Sequence, residues 1–315
     1  MRREARIFIV GHNDSVENSL REYFQAHGYA QVISNTQDRI NVLDQSQVSG
    51  FFMKFKPDYV FLGSVRSGGI AANQKFSAEF LYENIQSQNL VIEAARYGRV
   101  KKLLYFSSSC VYPKNAKQPI KESSLLTGPL EETSDAYAIA KIAGIKMCQA
   151  YKAQYGFNAI AAIPATLYGP GSDTDIEGAH VLGALIAKFH KAQCEGKSKV
   201  VVWGSGRPRR EFLYVDDFVS ACVFLMEHYN GVDAINVGSG VDVPIKQLAG
   251  MIKTVSGFKG KIIFDASKPD GVKRKLLDNT RMRKLGWKPK ISLEEGIEKT
   301  YQAYSVIASG AKQSL

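Results

Sequence analysis

Residues 102–113 have the sequence KLLYFSSSCVYP, in which a short apolar run leads into small polar side chains. An apolar run of about five residues bounded by turn-forming residues is typical of a buried β-strand. Similar runs occupy residues 6–10 (RIFIV), 59–62 (YVFL) and 159–163, and longer segments separate them. Strands that alternate with helices predict a parallel sheet covered on both faces. We therefore expect an α/β fold with a Rossmann-like, doubly wound parallel sheet.

Helical periodicity of the apolar residues marks the longer segments, at 17–27, 80–97, 136–155, 180–193 and 218–228. After Pro164 the pattern becomes mixed, with a stretch rich in Gly, Asp and Ser at 169–178 and a tight turn in GSGRPRR. The C-terminal SVIASGAKQSL shows no strong pattern. The expected organisation is a dinucleotide-binding domain of residues 1–170 plus about 212–240, with a smaller mixed α/β substrate-binding domain of about 171–211 and 241–315.

The composition is that of an ordinary globular protein, since 45% of the 315 residues are hydrophobic and 23% are charged. No run approaches the roughly 18 apolar residues of a membrane span, and the apolar residues 7–10 are too few for a signal peptide. We expect a cytoplasmic protein without a membrane partner. The net charge of +11 attracts anions. Because the basic groups are short and lie in Gly- or Pro-containing segments, they suit a diphosphate pocket at least as well as a nucleic-acid-binding stripe, and we expect no nucleic-acid partner.

The four cysteines, Cys110, Cys148, Cys194 and Cys222, have neither metal-type spacing nor a CxxC pair. In a cytoplasmic chain they are expected to be reduced. The sequence therefore predicts no metal site.

Tyr137 and Lys141 form a Y-x-x-x-K pair on the predicted helix 136–155. Residues four apart share a helix face, and an ammonium beside a phenol favours the phenolate and so lowers its pKa. Tyr137 is then a usable general acid or base. The pair alone is weak evidence, because such pairs often lie on solvated faces. It gains weight here because the serines at 107–109 follow a strand, where ligands bind in open α/β sheets.

The loop after the first strand is the weakest part of a dinucleotide-binding interpretation. A strand followed by G-x-x-G-x-x-G presents backbone N–H groups to a diphosphate. Here only Gly11 is present, and Asp14 and Glu17 stand where the other glycines would fall. Taken alone, this loop is typical of an ordinary strand-to-helix turn.

Long blocks of the sequence resemble the GDP-L-fucose synthase family, nucleotide-sugar enzymes of the extended short-chain dehydrogenase/reductase superfamily. The blocks are SSCVYPKNAKQPIKESSLLTGPLEETSDAYAIAKIAGIKMCQAY, PATLYGPGS, AHVLGALIAKFHKA, VVVWGSGRPRREFLYVDD, INVGSGVD and FDASKPDGVKRKLLDNTRMRKLGW. They cover most of the chain from about Lys101 to about Tyr304, and SGGI at 67–70 extends the similarity toward the N-terminus. The resemblance implies conversion of GDP-4-keto-6-deoxy-D-mannose to GDP-L-fucose by epimerisation at C3 and C5 and NADPH-dependent reduction at C4.

The resemblance also implies roles for individual residues. Ser108, Tyr137 and Lys141 match the reduction triad, in which the tyrosine protonates the C4 oxygen and the serine holds it. Cys110 and His180 match the base and acid of epimerisation, and a thiolate and an imidazole suit proton transfer near neutral pH. Without the resemblance, a small buried side chain and a helix-start cap would be the favoured interpretations of Cys110 and His180.

The remaining site residues come from the same resemblance. The cofactor-binding positions are Gly11, Asn13, Gln37, Tyr137, Lys141, Pro164, Leu167 and His180. The substrate-binding positions are Lys188, Trp203, Arg210, Asp270 and Lys275, of which Trp203 matches a residue near the guanine; a solvated basic surface is about as good an interpretation of Lys275.

The sequence departs from the family mainly at the cofactor. Two arginines that bind the NADP 2′-phosphate in the family are Asn13 and Gln37 here, and charge-assisted hydrogen bonds are worth about 1.5–3 kcal/mol each. Asp14 and Glu17 add negative charge near the expected pyrophosphate. We expect weak NADP(H) binding, with three explanations open: a remodelled loop that still binds NADP(H), a preference for NAD(H), or loss of binding. In addition, Thr166 replaces an asparagine of the family.

Several functions follow from these observations. The first is an active epimerase/reductase on a GDP-4-keto sugar, and the alternatives are an epimerase only, a nucleotide-sugar-binding pseudoenzyme, and a nucleic-acid-binding protein. Family resemblance also implies a homodimer that pairs the helices at 80–97 and 136–155.

Overall fold

The computed structural model describes residues 1–12, 15–172, 174, 179–268 and 270–310. In chain order, the strands within these ranges are β1 (Arg6–Val10), β2 (Gln31–Ser34), β3 (Tyr59–Leu62), β4 (Lys102–Phe106), β5 (Ala159–Pro164), β6 (Thr166–Tyr168), β7 (Lys199–Trp203), β8 (Arg209–Tyr214), β9 (Ile235–Val237), β10 (Asp242–Pro244), β11 (Lys261–Asp265) and β12 (Arg274–Lys275). The α-helices are α1 (Ser15–Ala26), α2 (Gln45–Phe55), α3 (Ile70–Lys75), α4 (Ser77–Tyr97), α5 (Asp135–Tyr155), α6 (Val181–Cys194), α7 (Val215–His228), α8 (Ile245–Val255), α9 (Thr280–Leu285) and α10 (Leu293–Gly310).

The central sheet is parallel, with the strand order β2-β1-β3-β4-β5-β9. Its strands are apolar and almost fully buried from β3 to β5, because helices cover both faces. The chain runs outward in opposite directions from β1, through β2 on one side and β3 on the other. A crevice therefore opens at the carboxyl ends of β1 and β3, where such sheets bind ligands. The expected Rossmann-like, doubly wound class is confirmed.

A second group of strands lies apart from the central sheet. Strand β8 pairs with β6 and β12 in parallel and with β10 antiparallel, and β7 pairs with β11. Together with α6 and α8, these strands enclose a separate apolar core that includes Phe189, Val202, Leu248 and Ile297. This core supports the division into a larger and a smaller domain, which we retain as a proposal. The core of the central sheet also includes Leu277, Met282 and Trp287 from the C-terminal part.

Buried polar side chains connect the C-terminal part to the rest. Glu211, which is 2% exposed, accepts hydrogen bonds from the backbone N–H groups of Gly240 (2.6 Å) and Leu277 (2.8 Å). Asp242 on β10 accepts hydrogen bonds from Arg209 on β8 (3.0 Å) and Arg274 on β12 (2.5 Å). These contacts fix the short strand β12 beside β8.

The structure also contains elements that the sequence patterns do not predict. Strand β2 is short and mostly half-exposed, so its apolar pattern is weak. Residues 305–310, which lack a strong pattern, continue α10. This helix is held by Ile297 and Thr300, which are buried, and extending an existing helix costs little once it has formed. Within the described ranges, no helix has the length and apolar character needed to cross a bilayer.

Candidate active site

Tyr137 and Lys141 lie on the first turns of α5, which faces the crevice. Lys141 is 1% exposed, and its Nζ lies 4.6 Å from the centre of the Tyr105 ring and 5.9 Å from that of Tyr137. A Cβ at Gly144, one turn further on, would overlap the Tyr105 ring. A glycine at this position therefore lets Tyr105 pack against α5 beneath the Lys141 ammonium. The expected Tyr–Lys pair does share one helix face.

The Tyr137 hydroxyl shares a 2.9 Å hydrogen bond with the hydroxyl of Ser64, which follows β3. The Ser64 carbonyl lies 3.0 Å from Nδ1 of His12, which follows β1, and Nε2 of His12 lies 3.0 Å from the Ser67 hydroxyl. If the ring is neutral, Nδ1 donates to the carbonyl and Nε2 accepts from the serine. The loops after β1 and β3 and the start of α5 are thus connected at the crevice. Ser64 and His12 were missed as site residues, although both follow strand ends.

The serines after β4 face the same crevice. Ser107 is 4% exposed, and its hydroxyl has no hydrogen-bond partner among the described residues. Ser108 caps a short 3-10 turn by accepting a hydrogen bond from the backbone N–H of Cys110 (3.3 Å). Cys110 is half-buried. Burial raises the pKa of its thiol, while the charge of Lys275, the Ser108 hydroxyl and the charge of Lys141 act in the opposite direction.

Lys275 reaches Cys110 from β12 and lines a cavity together with Cys110, Gln118 and Glu131. Burial lowers the pKa of the Lys275 ammonium, and the neighbouring thiol opposes this shift. Arg210 on β8 lies opposite Lys275 in the register between β8 and β12. The Arg210 guanidinium donates a hydrogen bond to the carbonyl of Val272 (2.6 Å). Burial lowers the pKa of Arg210 as well. Lys275 and Arg210 are therefore neighbouring cations on two paired strands.

Trp203, one of the expected substrate-binding positions, lies at the end of β7. Its ring is half-exposed and lies 4.9 Å from Nζ of Lys188 and 5.6 Å from Nζ of Lys268. Asp270 is engaged otherwise, since its carboxylate accepts hydrogen bonds from the backbone N–H (2.6 Å) and hydroxyl (2.7 Å) of Ser205. Asp270 thereby holds the GSG turn that follows Trp203. Lys268 is a further cation at this ring that the sequence interpretation did not include.

The other expected positions lie at the edges of the site. His180 is exposed at the N-cap of α6, where its side chain makes no capping hydrogen bond. Pro164 is buried at the end of β5, and Leu167 is half-buried on β6. Gln37 is exposed in the turn after β2. Asn13 and Asp14 fall outside the described residues.

The first turn of α1 brings a carboxylate to the expected cofactor loop. Glu17 is 1% exposed, and its Oε2 lies 2.8 Å from where a Cβ of Gly11 would stand. Its Oε1 accepts a hydrogen bond from the hydroxyl of Thr36, just after β2. Gly11 and Asn35 exchange two hydrogen bonds, from the Gly11 N–H to Asn35 Oδ1 (2.8 Å) and from Asn35 Nδ2 to the Gly11 carbonyl (3.2 Å). A side chain at position 11 would crowd the Glu17 carboxylate and require it to move.

The end of the crevice near Tyr137 fits a dinucleotide cofactor better than the adenosine end, near Gly11, does. Beside Tyr137 and Lys141, the buried Ser107 hydroxyl has no hydrogen-bond partner among the described residues and can bond to a nicotinamide or its ribose. At the adenosine end, the groups after β1 and β2 bond to one another. A parallel sheet that reverses its order beside a Tyr–Lys pair defines a Rossmann-type enzyme that uses a dinucleotide cofactor.

Comparison with known proteins gives the family. The chain belongs to the NAD dependent epimerase/dehydratase family, whose model matches residues 7–238. It is 48% identical over 309 residues to the probable GDP-L-fucose synthase 1 of Oryza sativa subsp. japonica, covering 98% of this chain and 94% of that protein. It is 46% identical over 306 residues to the GDP-L-fucose synthase of Escherichia coli (strain K12), covering 94% and 95%. The resemblance of the sequence blocks is confirmed.

A solved structure supports the same assignment. The GDP-mannoheptose C4 reductase from Campylobacter jejuni with NADP bound superposes with a TM-score of 0.88 at 37% identity, covering 97% of this chain and 99% of that one. A nicotinamide dinucleotide is thus bound by a close structural relative.

Proposed function

We propose that the chain is an NAD(P)H-dependent epimerase/reductase that converts GDP-4-keto-6-deoxy-D-mannose, or a close GDP-4-keto sugar, to GDP-L-fucose or its counterpart. One observation carries this proposal: Cys110 and Lys275 line one cavity, where the charges of Lys275 and Lys141 oppose the rise that burial causes in the pKa of the Cys110 thiol. A candidate proton-transfer group therefore stands between the Tyr137–Lys141 pair and the basic segment on β12. An epimerase/reductase needs both kinds of group around one sugar ring.

For the reduction, a nicotinamide cofactor bound beside Tyr137 and Lys141 would supply the hydride that C4 requires. Tyr137 donates the proton to the C4 oxygen, and Ser108 holds that oxygen by a hydrogen bond. The Lys141 ammonium, held near the Tyr137 ring, favours the phenolate that remains after proton donation. The Ser64 hydroxyl shares a hydrogen bond with the Tyr137 phenol and thereby orients it. Together these groups provide general acid catalysis at C4.

In the epimerisation, protons leave and return at C3 and C5, which the C4 ketone acidifies. Cys110 acts as the base in its thiolate form, and His180 acts as the acid from the start of α6. Because burial disfavours the thiolate, the positive charge of Lys275 is needed to offset part of that shift. Lys275 is therefore a positioning and charge-balancing residue for Cys110.

The nucleotide is recognised by the cations of the smaller domain. Arg210 offers a planar guanidinium to the diphosphate, which suits bidentate phosphate binding. Trp203 provides a half-exposed ring for the guanine, and the ammonium of Lys188 lies beside it. Asp270 contributes by holding the turn after Trp203 through Ser205.

The test separates the two half-reactions. Purified protein is incubated with GDP-4-keto-6-deoxy-D-mannose in D₂O, with and without reduced cofactor, and the sugar is analysed for deuterium at C3 and C5 and for reduction at C4. Cys110→Ser should abolish deuterium uptake, whereas Cys194→Ser, a change at an exposed cysteine, should not. Tyr137→Phe should abolish reduction and keep uptake, whereas Tyr155→Phe on the same helix should behave as wild type. If the wild-type protein shows no deuterium uptake and no reduction, the proposal is refuted.

We further propose a cytoplasmic homodimer formed through α4 and α5. The four cysteines are free, which suits a reducing compartment. Tyr82 and Tyr97 on α4 and Ile139 and Tyr155 on α5 are large apolar side chains exposed to solvent, as expected of a surface that a second subunit covers. Light scattering should give the mass of two chains. A mass of one chain at micromolar concentration would overturn the dimer.

A further inference from the structure

The hydrogen-bond donors of Gly11, Asn35 and Thr36, at the adenosine end of the crevice, bond to acceptors of the protein itself. Thr36 has one hydroxyl hydrogen, and it points at Glu17. The Gly11 N–H points at the Asn35 side chain, and the Asn35 amide points at the Gly11 carbonyl. Thr36 is half-buried and can be reached by a ligand. A ligand at Thr36 therefore meets oxygen lone pairs and no free hydroxyl hydrogen.

This arrangement discriminates between the two common nicotinamide cofactors. The end of the second strand is where a Rossmann fold meets the adenosine ribose. The 2′-hydroxyl of NAD(H) can donate a hydrogen bond, whereas the 2′-phosphate of NADP(H) is an acceptor with close to two negative charges. The Glu17 carboxyl group lies behind Thr36 in a buried position, where electrostatic interactions are strong.

The neighbouring side chains do not supply an obvious phosphate site. Gln37 is exposed and carries no charge. Asp38 accepts a hydrogen bond from the backbone N–H of Ser34 (3.0 Å), which adds a second carboxylate to the turn after β2. Arg39 is the one basic residue within residues 34–40, and it is exposed. Arg39 is thus the natural competitor for binding a 2′-phosphate.

We propose that Glu17, by taking the Thr36 hydroxyl hydrogen, makes the adenosine end of the site selective for NAD(H) over NADP(H). Glu17 acts through Thr36, which accepts a hydrogen bond from the ribose 2′-hydroxyl. The inference rests on the proposed function, because it assigns the dinucleotide to the same crevice.

The first test uses the unmodified protein and binding alone. Calorimetric titration should show NADH binding about tenfold or more tightly than NADPH, as expected for one extra doubly charged group facing a carboxylate. The adenosine fragments should follow the same order, with ADP binding more tightly than adenosine 2′,5′-bisphosphate. Tighter binding of NADPH, or no binding of either dinucleotide, would overturn the proposal.

The second test uses variants. Glu17→Gln should reduce the NADH preference by about tenfold, because it removes the carboxylate behind Thr36. Thr36→Val should weaken NADH binding without improving NADPH binding. Glu22→Gln, an exposed glutamate on the same helix, is the matched control and should leave the preference unchanged. An unchanged preference in Glu17→Gln, or a loss of NADPH binding in Arg39→Ala larger than that of NADH, would contradict the assignment.

The cofactor preference and the proposed function can be refuted independently of each other. If the protein reduces the GDP-4-keto sugar but binds NADPH more tightly, the inference is wrong and the proposed function stands. If NADH binds more tightly and Glu17→Gln relaxes the preference, yet neither deuterium uptake nor reduction occurs, the inference stands and the proposed function is wrong.

Discussion

Replacing Asp242 by asparagine should destabilise the fold in a pH-dependent way. The Asp242 side chain is 5% exposed and lies between Arg209 and Arg274, whose side chains are 42% and 43% exposed. Its carboxylate accepts from Arg209 Nη2 at 3.0 Å and from Arg274 Nε at 2.5 Å. Each half-exposed pair is worth about 1 kcal/mol. An asparagine NH₂ facing a guanidinium loses about 1 kcal/mol more, so the expected cost is about 2–3 kcal/mol.

The pH dependence follows from the pKa of Asp242. Burial alone would raise this pKa, but the hydrogen bonds from Arg209 and Arg274 outweigh burial, and the pKa lies below its ordinary value. A carboxyl group with a lowered pKa in the folded state stabilises the fold above its unfolded-state pKa of about 3.9. That contribution is lost as the pH falls through the lower pKa of the folded state. The gap between wild type and Asp242→Asn should therefore close in acid.

Urea unfolding at neutral pH and at a series of acidic values measures this directly. Asp233→Asn is the control, since Asp233 pairs with Arg281 at 2.9 Å but is 65% exposed, and it should change stability by less than about 0.5 kcal/mol. Asp242→Asn should also bind the GDP-sugar more weakly. Its partner Arg274 precedes Lys275 on the two-residue strand β12, so loss of the ion pair should loosen Lys275 as well. Equal losses for both variants at neutral pH, or a gap that persists in acid, would refute the reasoning.

Other predictions concern single contacts. Lys275→Met should move the pH profile of deuterium uptake to higher pH, because the pKa of Cys110 then rises further without the opposing charge; an unmoved profile would contradict it. Ser64→Ala should slow reduction by roughly fivefold, the worth of one hydrogen bond to Tyr137, and alter the pH profile of that step while leaving deuterium uptake intact. Lys102→Met should lower the free energy of unfolding by about 3 kcal/mol, because two buried carbonyls in the last turn of α7 lose their donor; a thermal or urea midpoint unchanged from wild type would count against this.

Much of the fold could be predicted from periodicity because the central strands are buried on both faces. Runs such as YVFL at Tyr59–Leu62 are apolar throughout, and the helices between them carry regular stripes. Strand β2 escaped prediction because it lies at the sheet edge, where half-exposed residues break the pattern. The end of α10 escaped it because exposed residues there follow the helix without packing.

The candidate site likewise contains some residues that the sequence predicts and others that it does not. Tyr137 and Lys141 could be found because their spacing is local. The contact of Ser64 with Tyr137 depends on two strand ends meeting in space, and no local spacing marks it. The cavity shared by Cys110 and Lys275 depends on β12 docking beside β8, which is also a tertiary event.

The interlocked packing of Gly11, Glu17 and Thr36 has a consequence for sequence divergence. Any side chain at position 11 would collide with the Glu17 carboxylate, and loss of Glu17 would leave the Thr36 hydroxyl without its acceptor. Positions 17 and 36 should therefore covary among relatives, with an acidic residue at 17 accompanied by a hydroxyl at 36. Epistasis of this kind constrains the evolutionary routes by which cofactor preference can change in this lineage.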